Sequence, residues 1–177
     1  MALASHIMRY LAIDLGDKRT GFASGDDVLF LVQPLFVVEA HTRELQLKAA
    51  LKAIDEYGPD RIVLGMPYNM DGSEGPRAKL ARAFGEELLA RLGTGVRVRL
   101  EYQDERLSSF AAEEKLNRTG RTHGEKKALR DALAACAILE DFLRAKRDSA
   151  RSHADDQTDD QTDDPTDVEG IVSEDDE

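Results

Sequence analysis

The sequence predicts an α/β domain in which a mixed five-stranded sheet carries helices on both faces. Apolar segments of strand length alternate with segments of helical periodicity, and the first three strands follow one another with no helix between them. The predicted element order is βββαβαβαα. An initial succession of hairpins followed by alternating strands and helices is typical of a mixed sheet covered on both sides.

The first three strands are short apolar segments separated by turn-forming residues. Strands are predicted over residues 9–14, 20–24 and 28–38. Gly16 and Gly25 stand between them among charged residues, as expected of turns. The third segment is interrupted by Gln33 and Pro34 and is far shorter than the roughly 20 apolar residues of a membrane helix. The sequence therefore predicts no membrane span.

Helices and strands alternate through the rest of the body. Arg43 to Tyr57 has apolar residues spaced three and four apart, and Gly58 and Pro59 end it. The same spacing predicts helices over residues 77–92, 108–117 and 125–147. Further strands are predicted over residues 61–64 and 96–101, the second leading to Asp104 and Glu105, with a loop over residues 66–75.

The charge is concentrated at the end of the chain. Twelve of the 35 acidic residues and none of the 24 basic residues lie between Ser152 and Glu177, so the tail accounts for the net charge of −11. Residues 1–151 are nearly neutral, and nucleic acid remains a plausible partner for them. We predict a vector-derived or disordered start over residues 1–7, one folded domain over residues 8–147 and an acidic disordered tail over residues 148–177.

Cysteine usage indicates the compartment. Cys136 is the one cysteine of the chain, which excludes an intramolecular disulfide and a cysteine-based zinc site. This composition suits a reducing environment, so we expect the protein to be cytoplasmic.

Several acids stand out from the predicted elements. Asp14 ends an apolar strand where α/β sheets present groups to ligands, although a turn residue bonding its own backbone fits equally well. Asp131 shares a helix face with apolar residues, which favours a pocket or a metal over an ion pair with Lys127. Asp104 and Glu105 close the last strand, and alternation sends them to opposite faces without deciding which one faces Asp14.

Three carboxylates from separate elements would repel one another unless they were protonated or held divalent cations. All-oxygen ligands suit Mg²⁺ or Mn²⁺, and two ions about 3.5–4 Å apart activate water and stabilise a leaving oxygen in phosphoryl chemistry. The sequence therefore predicts such a metal site. No histidine base is needed, and we expect His123 to be solvated.

Four motifs follow one another along residues 8–146. They are AIDLGDKRTG over residues 12–21, VLGMPYNMDG over residues 63–72, DERLSS over residues 104–109 and DALAA over residues 131–135. Together they resemble the YqgF family, also called RuvX-like, of RNase H-fold Holliday junction resolvases and pre-16S rRNA nucleases. The second motif is similar to the Gly-x-Pro-x-Asn loop of that family.

The resemblance implies an RNase H-like fold and assigns the site. It makes Asp14, Glu105 and Asp131 the metal-binding catalytic acids, and so selects Glu105 where alternation leaves the choice open. It also implies four substrate-binding residues: Lys18, Arg19, Asn69 and Arg106. For the charged side chains among them, contact with substrate phosphates is the expected role, and a solvated side chain is the alternative.

The chain departs from the family pattern in two places. Ser108 and Ser109 stand where the family more often has threonine, a change we expect to leave the chemistry intact. Arg130 precedes the last acid where the family tends to have an aliphatic residue, which would reshape the rim of the pocket.

The implied function is a nuclease that uses Mg²⁺ or Mn²⁺ and acts on a structured RNA precursor or branched DNA. We favour maturation of the 5′ end of the 16S rRNA precursor. Resolution of Holliday junctions is the alternative, and it would require a homodimer that makes paired cuts.

Three other classes of protein compete with the nuclease. A noncatalytic RNase H-fold module would lack one of the acids, and all are present. An actin-like phosphotransferase, suggested by Asp14-Leu15-Gly16 followed by Gly21, needs a second domain for which the body has no room. An interaction protein that acts through the acidic tail is the third alternative.

Overall fold

The described part of the chain contains five strands and three helices. In this computed structural model it comprises residues 7–106 and 123–155, with side chains described over residues 7–106 and 133–152. The strands are β1 (Arg9–Leu15), β2 (Arg19–Asp26), β3 (Val32–Glu39), β4 (Arg61–Met66) and β5 (Arg99–Asp104). The helices are α1 (Arg43–Tyr57), α2 (Pro76–Leu92) and α3 (His123–Asp155).

The strands form one mixed sheet in the order β3-β2-β1-β4-β5. Two hairpins pair β1 with β2 and β2 with β3 in antiparallel orientation, whereas β4 and β5 join the other side of β1 in parallel. Parallel neighbours require a crossover, and α1 and α2 supply the two crossovers. The mixed five-stranded sheet predicted from the sequence is confirmed.

Both faces of the sheet are covered by helices, as predicted. In β1, Leu11 and Ile13 belong to a core with α1 and α2, whereas Tyr10 and Ala12 belong to a second core with α3. Successive strand residues point to opposite faces, so an apolar run without polar interruptions is what a strand covered on both sides requires.

Local signals set the bounds of α1. The Thr42 side chain caps its start by accepting a hydrogen bond from the backbone N–H of Leu45 at 3.3 Å. At the other end Gly58 adopts a left-handed conformation with φ of 50° and donates to the carbonyl of Ile54 at 2.9 Å. The predicted range of Arg43 to Tyr57 is confirmed.

The strand predicted over residues 28–38 is wrong in its first four residues. β3 begins at Val32, and residues 27–31 connect it to β2. The carboxylate oxygen Oδ1 of Asp26 accepts hydrogen bonds from the backbone N–H groups of Val28 (2.9 Å) and Leu29 (2.6 Å), and Phe30 has φ of 54°. The side chain of Asp26 therefore holds a turn, and the apolar sequence after it does not pair as strand.

The last strand lies further along the chain than the sequence predicts. Residues 96–98 are outside β5, which spans Arg99–Asp104. Arg99 is the first residue in register with β4, opposite Arg61. Because β4 itself begins at Arg61, the residues before Arg99 have no neighbouring strand to pair with.

α3 is longer than predicted. It begins at His123, two residues before the predicted start, and continues through Asp155 instead of ending at Arg147. The start of the predicted disordered tail is thus wrong for residues 148–155, which contain no proline or glycine to stop the helix. The helix predicted over residues 108–117 and the tail from residue 156 lie outside the described residues.

Contacts divide the chain into two units between Ala145 and Lys146, within α3. The first unit contains the sheet and both cores described above. In the second, the described residues continue the helix, with Ser152 Oγ donating to the Ser149 carbonyl at 2.9 Å. Across the described ranges, no helix combines the length and the apolar character needed to cross a membrane.

Candidate active site

Asp14 lies near the end of the central strand. It is in register with Gly21 of β2 and is partly buried. By alternation it shares a sheet face with Tyr10 and Ala12, the face on which α3 packs. The strand therefore presents the Asp14 carboxylate at the carboxyl edge of the sheet and on the side of α3.

The turn after Asp14 is tied to the body at both ends. Gly16 donates its N–H to the carbonyl of Arg19 at 2.9 Å, which closes the turn. The Nε2 of the buried Gln46 in α1 donates to the Gly16 carbonyl at 2.9 Å. On the other side, Ala40 donates its N–H to the Lys18 carbonyl at 3.0 Å. These bonds fix the position of the residues next to Asp14.

A cleft of about 330 Å³ opens beside this turn. Its lining residues are Asp14, Gly16, Asp17, Lys18, Arg19, Gly21, Glu39 and His41. The Lys18 side chain is exposed, and Arg19 lies 3.6 Å from Glu39 in an ion pair. The structure therefore brings together three of the residues selected from the sequence, namely Asp14, Lys18 and Arg19.

Glu105 follows β5 directly, and its backbone N–H donates to the Met66 carbonyl at 3.2 Å. Its partly buried carboxylate fills the space beside Gly65 of β4 that a Cβ atom would occupy. Burial raises the pKa of Glu105 to about 7, and the negative charge of Asp14 adds to the increase, against an opposing effect of Arg77. The Asp14 carboxylate is thus close enough to Glu105 to disfavour its ionised form.

The Asp104 carboxylate has a different partner from that of its neighbour Glu105. Its carboxylate accepts hydrogen bonds from the Nε of Arg106 at 2.9 Å and from the NH2 group at 2.6 Å. This pairing with Arg106 lowers the pKa of Asp104. Of the two neighbouring acids, Glu105 is therefore the one that shares an electrostatic environment with Asp14, a choice that alternation alone left open.

Asn69 lies in the loop between β4 and α2, and Arg106 contacts the same loop. The Asn69 Nδ2 donates to Ser73 Oγ at 2.9 Å, so this amide holds its own loop in shape. Arg106 reaches the same loop, where its NH1 donates to the Met70 carbonyl at 3.3 Å while the rest of the guanidinium binds Asp104. Both residues are exposed, and both stabilise the loop beside Glu105.

Asp131 belongs to α3, the helix that covers the face of Asp14. Its side chain lies outside the described part of the structure, as do those of Lys127, Arg130 and His123, so the expectations for these four residues stay predictions. Among the side chains that are described, no three histidine, cysteine or acidic residues form a metal-binding group.

The sequence of the chain matches the RuvX family, described as a Holliday junction resolvase, over residues 8–145. The chain belongs to the RuvX family. A relative in Anaeromyxobacter sp. (strain Fw109-5), named "Putative pre-16S rRNA nuclease", is 46% identical over 136 residues, or 77% of this chain and 96% of the relative. A relative of the same name in Chloroflexus aurantiacus (strain J-10-fl) is 37% identical over 144 residues, which cover 81% of this chain and 92% of the relative.

The fold of this RuvX-family chain is similar to that of a solved resolvase. The fowlpox virus resolvase, determined with Holliday junction DNA, superposes with a TM-score of 0.52 at 11% identity over 78% of this chain and 99% of the viral one. At that identity the likeness concerns the fold, which is the RNase H-like fold of the resolvases.

Four residues near the site of this RuvX-family chain were given no role in the prediction from the sequence. Gly65 leaves room for Glu105, and a glycine inside an apolar strand was a signal for such a close approach. Arg77, in the first turn of α2, pairs with Asp17 at 3.1 Å and lowers the pKa of Glu105. Gln46 and His41 carried no usable signal, because their positions depend on how α1 packs against the turn after Asp14.

Proposed function

We propose that this chain is a divalent-metal-dependent endonuclease that cuts the 16S rRNA precursor during maturation of its 5′ end. The observation that carries the proposal is the position of the Glu105 carboxylate beside Gly65, close enough to Asp14 to be affected by its charge, next to a cleft that Asp14 lines together with Lys18 and Arg19. The names of the relatives, which align over nearly their whole length, support the choice of RNA precursor as substrate.

The described residues fit a divalent cation. Carboxylate oxygens are the ligands that Mg²⁺ and Mn²⁺ prefer, and Asp14 in β1 and Glu105 directly after β5 provide them. The space beside Gly65 holds the Glu105 carboxylate in place. Its raised pKa marks a position where a nearby positive charge would stabilise the ionised form. We propose Asp131 of α3 as the third ligand.

The side chains around the acids have separate tasks in this proposal. Divalent ions, when bound, would activate the attacking water and stabilise the leaving oxygen. Lys18 and Arg19 bind the phosphates on either side of the cleaved bond, since both line the cleft of Asp14. Asn69 and Arg106 bind the same strand through the loop after β4. Gln46 positions the backbone around Asp14 through its bond to Gly16.

The experiment that tests this function is cleavage of an end-labelled 16S precursor leader by the purified full chain. Reactions contain Mg²⁺, Mn²⁺ or a chelator, and Asp14→Asn serves as the control for contaminating nucleases. We expect cutting that requires both the metal and Asp14. Cutting that persists in Asp14→Asn or in chelator would overturn the proposal.

Resolution of Holliday junctions is the second candidate, and the description of the matched family favours it. A four-way DNA junction run beside the leader separates the two functions. A resolvase has to make paired cuts, so this candidate also proposes a homodimer, measured by sedimentation of the protein with its junction. Binding of either substrate without cutting would indicate the noncatalytic module instead. For the precursor nuclease, the cytoplasm is the proposed site of action.

A further inference from the structure

A group of arginines lies at the end of the sheet opposite Asp14 and Glu105. Arg61 and Arg99 are the first residues of the parallel strands β4 and β5 and stand directly opposite each other in the ladder. Arg97 precedes β5 by two positions. We call Arg61, Arg97 and Arg99 the distal arginine cluster.

The acids nearby are already engaged. Arg61 forms an ion pair with Glu101. Arg9 forms one with Asp60, with 3.8 Å between Arg9 Nε and Asp60 Oδ2. Arg97 and Arg99 are exposed, and in residues 7–106 and 133–152 neither has an ion-pair partner. The cluster therefore carries positive charge that no described side chain neutralises.

Like charges facing each other on neighbouring strands destabilise a sheet. Arg61 and Arg99 face each other in this way, Glu101 offsets the charge of Arg61, and an anion bound beside Arg99 would offset the remaining charge. A concave surface of about 520 Å³ is available there, lined by Met8, Asp60, Arg61, Arg97, Val98 and Arg99. In addition, the Nε of Arg61 is buried without a hydrogen-bond partner among the described groups.

The cluster shares a face of β5 with the candidate active site. Val98, Leu100 and Tyr102 pack against the core of α1 and α2, so the alternate positions point to the other side. That other side carries Arg99, and the Glu105 carboxylate lies on it too, beside Gly65 and Ile138. Glu105 follows Arg99 by six positions, of which all but the last lie in β5, a distance of about 20 Å at roughly 3.3 Å per residue.

We propose that the distal arginine cluster binds backbone phosphates of a double-helical arm of the substrate. The proposal rests on the proposed nuclease function and adds a second contact about 20 Å from the bond that is cut. At the roughly 3.4 Å per base pair of B-form DNA this separation equals about six base pairs, and an A-form RNA arm, with its smaller rise, needs at least as many, so a shorter arm would not reach the cluster.

Protection of a sheet edge is the competing explanation. β5 is an outer strand, and charged side chains on an outer strand prevent pairing with other chains. The two roles respond differently to charge reversal. Glutamate at positions 97 and 99 still protects the edge, but it repels phosphates.

The test is binding by fluorescence anisotropy of the full chain in chelator, with two labelled RNAs that share one single-stranded end. One has an arm of 20 base pairs and the other an arm of 4. The variants are Arg97→Gln with Arg99→Gln, the same pair changed to lysine and the same pair changed to glutamate. Lys48→Gln with Lys52→Gln, which removes two exposed charges from α1, is the matched control.

We expect the glutamine pair to weaken binding of the long arm about tenfold and to reduce the slope of log affinity against log salt by roughly 1.8. The lysine pair retains most of the affinity, the glutamate pair loses more than the glutamine pair, and the short arm is unaffected. Circular dichroism and gel filtration confirm that each variant is folded and has the oligomeric state of the parent.

Equal losses on both arms, a loss in the α1 control as large as in the glutamine pair, or no loss for the glutamate pair would overturn the proposal. Absence of binding by the unmodified chain would overturn it as well. Failure of the nuclease function has a different signature, since the arm-length dependence then persists while no RNA is cut in the presence of metal.

Discussion

The carboxylate of Glu105 occupies the space in which a Cβ atom of residue 65 would lie. A Cβ built on Gly65 overlaps the Oε1 of Glu105 and comes within 2.8 Å of its Cδ and 2.7 Å of the Cδ1 of Ile138. The conformation of the candidate acid therefore depends on the absence of a side chain on the neighbouring strand.

Gly65→Ala is expected to abolish most cleavage while leaving a folded protein. The added methyl group displaces the Glu105 carboxylate, and a misplaced ligand costs on the order of 100-fold in rate. Its contact with Ile138 in the core costs roughly 1–3 kcal/mol of the free energy of unfolding. Metal affinity from calorimetry and initial cleavage rates test the change. Gly95→Ala is the control, because within the described residues no heavy atom beyond its two chain neighbours lies within 4 Å of the added Cβ. Full activity in Gly65→Ala would contradict the assignment.

The metal-free protein is expected to lose stability as pH rises through 7. In the unfolded chain the Glu105 carboxyl ionises near its usual pKa of 4.5, whereas burial and Asp14 raise the pKa of the folded state to about 7. Between these values the folded state binds more protons, so the free energy of unfolding falls by about 3 kcal/mol over this range. Glu105→Gln has no carboxyl group at this position, so its free energy of unfolding is not expected to fall in this way.

Urea unfolding in chelator at pH 5 and pH 8.5 measures this effect for both proteins. The variant is expected to be the more stable one at the higher pH, and Asp14→Asn is expected to reduce the loss by removing the nearby charge. Glu56→Gln, an exposed change on α1, serves as the control. Parallel pH dependences of the parent and Glu105→Gln would show that this carboxyl ionises normally in the folded state.

Asp104 and Glu105 are expected to differ sharply as targets of mutation. Glu105→Gln should reduce metal-dependent cleavage by about 100-fold or more, since it removes a charged ligand. Asp104→Asn should cost only a few-fold, because Asp104 binds Arg106 and is not the acid beside Asp14. Single-turnover cleavage rates compare the two. A loss of cleavage rate in Asp104→Asn as large as that in Glu105→Gln would contradict the assignment of Glu105, and not Asp104, as the metal ligand.

Gln46→Met is expected to lower both stability and substrate affinity. It leaves the Gly16 carbonyl without the Nε2 donor, at a cost of roughly 1–3 kcal/mol in the free energy of unfolding, and it loosens the turn that carries Lys18. Thermal unfolding and the KM for the leader RNA measure the two effects. Gln33→Met, where an exposed side chain bonds Ser24, should change neither. An unchanged KM in Gln46→Met would show that the turn is held without this bond.

The fold was predictable because its signals are local. Alternation and helical spacing, together with the stop at Gly58, determine most elements and the coverage of both faces of the sheet. The errors have tertiary causes. Asp26 uses its side chain to form a turn inside an apolar run, and the start of β5 is determined by the start of its neighbour at Arg61.

The candidate site was predictable in part. Asp14 could be selected because it ends a strand, but the choice between Asp104 and Glu105 depends on a guanidinium and on a glycine from another strand. Arg77 and Gln46 could not be selected, since nothing local distinguishes them from other polar helix residues. Their roles arise only when α1 and α2 pack beside the turn after β1.

Of the two described acids of the site, Asp14 lies in β1 and Glu105 directly follows β5, and these two strands differ in how well their hydrogen bonds are protected. β1 is hydrogen-bonded on both sides at the centre of the sheet, whereas β5 has one neighbour. Amide hydrogens of β1 should therefore exchange with solvent only through global unfolding, and those of β5 through local fraying as well. Heating would consequently detach Glu105 from Asp14 before the core melts, and thermal inactivation should begin below the unfolding transition and reverse fully on cooling.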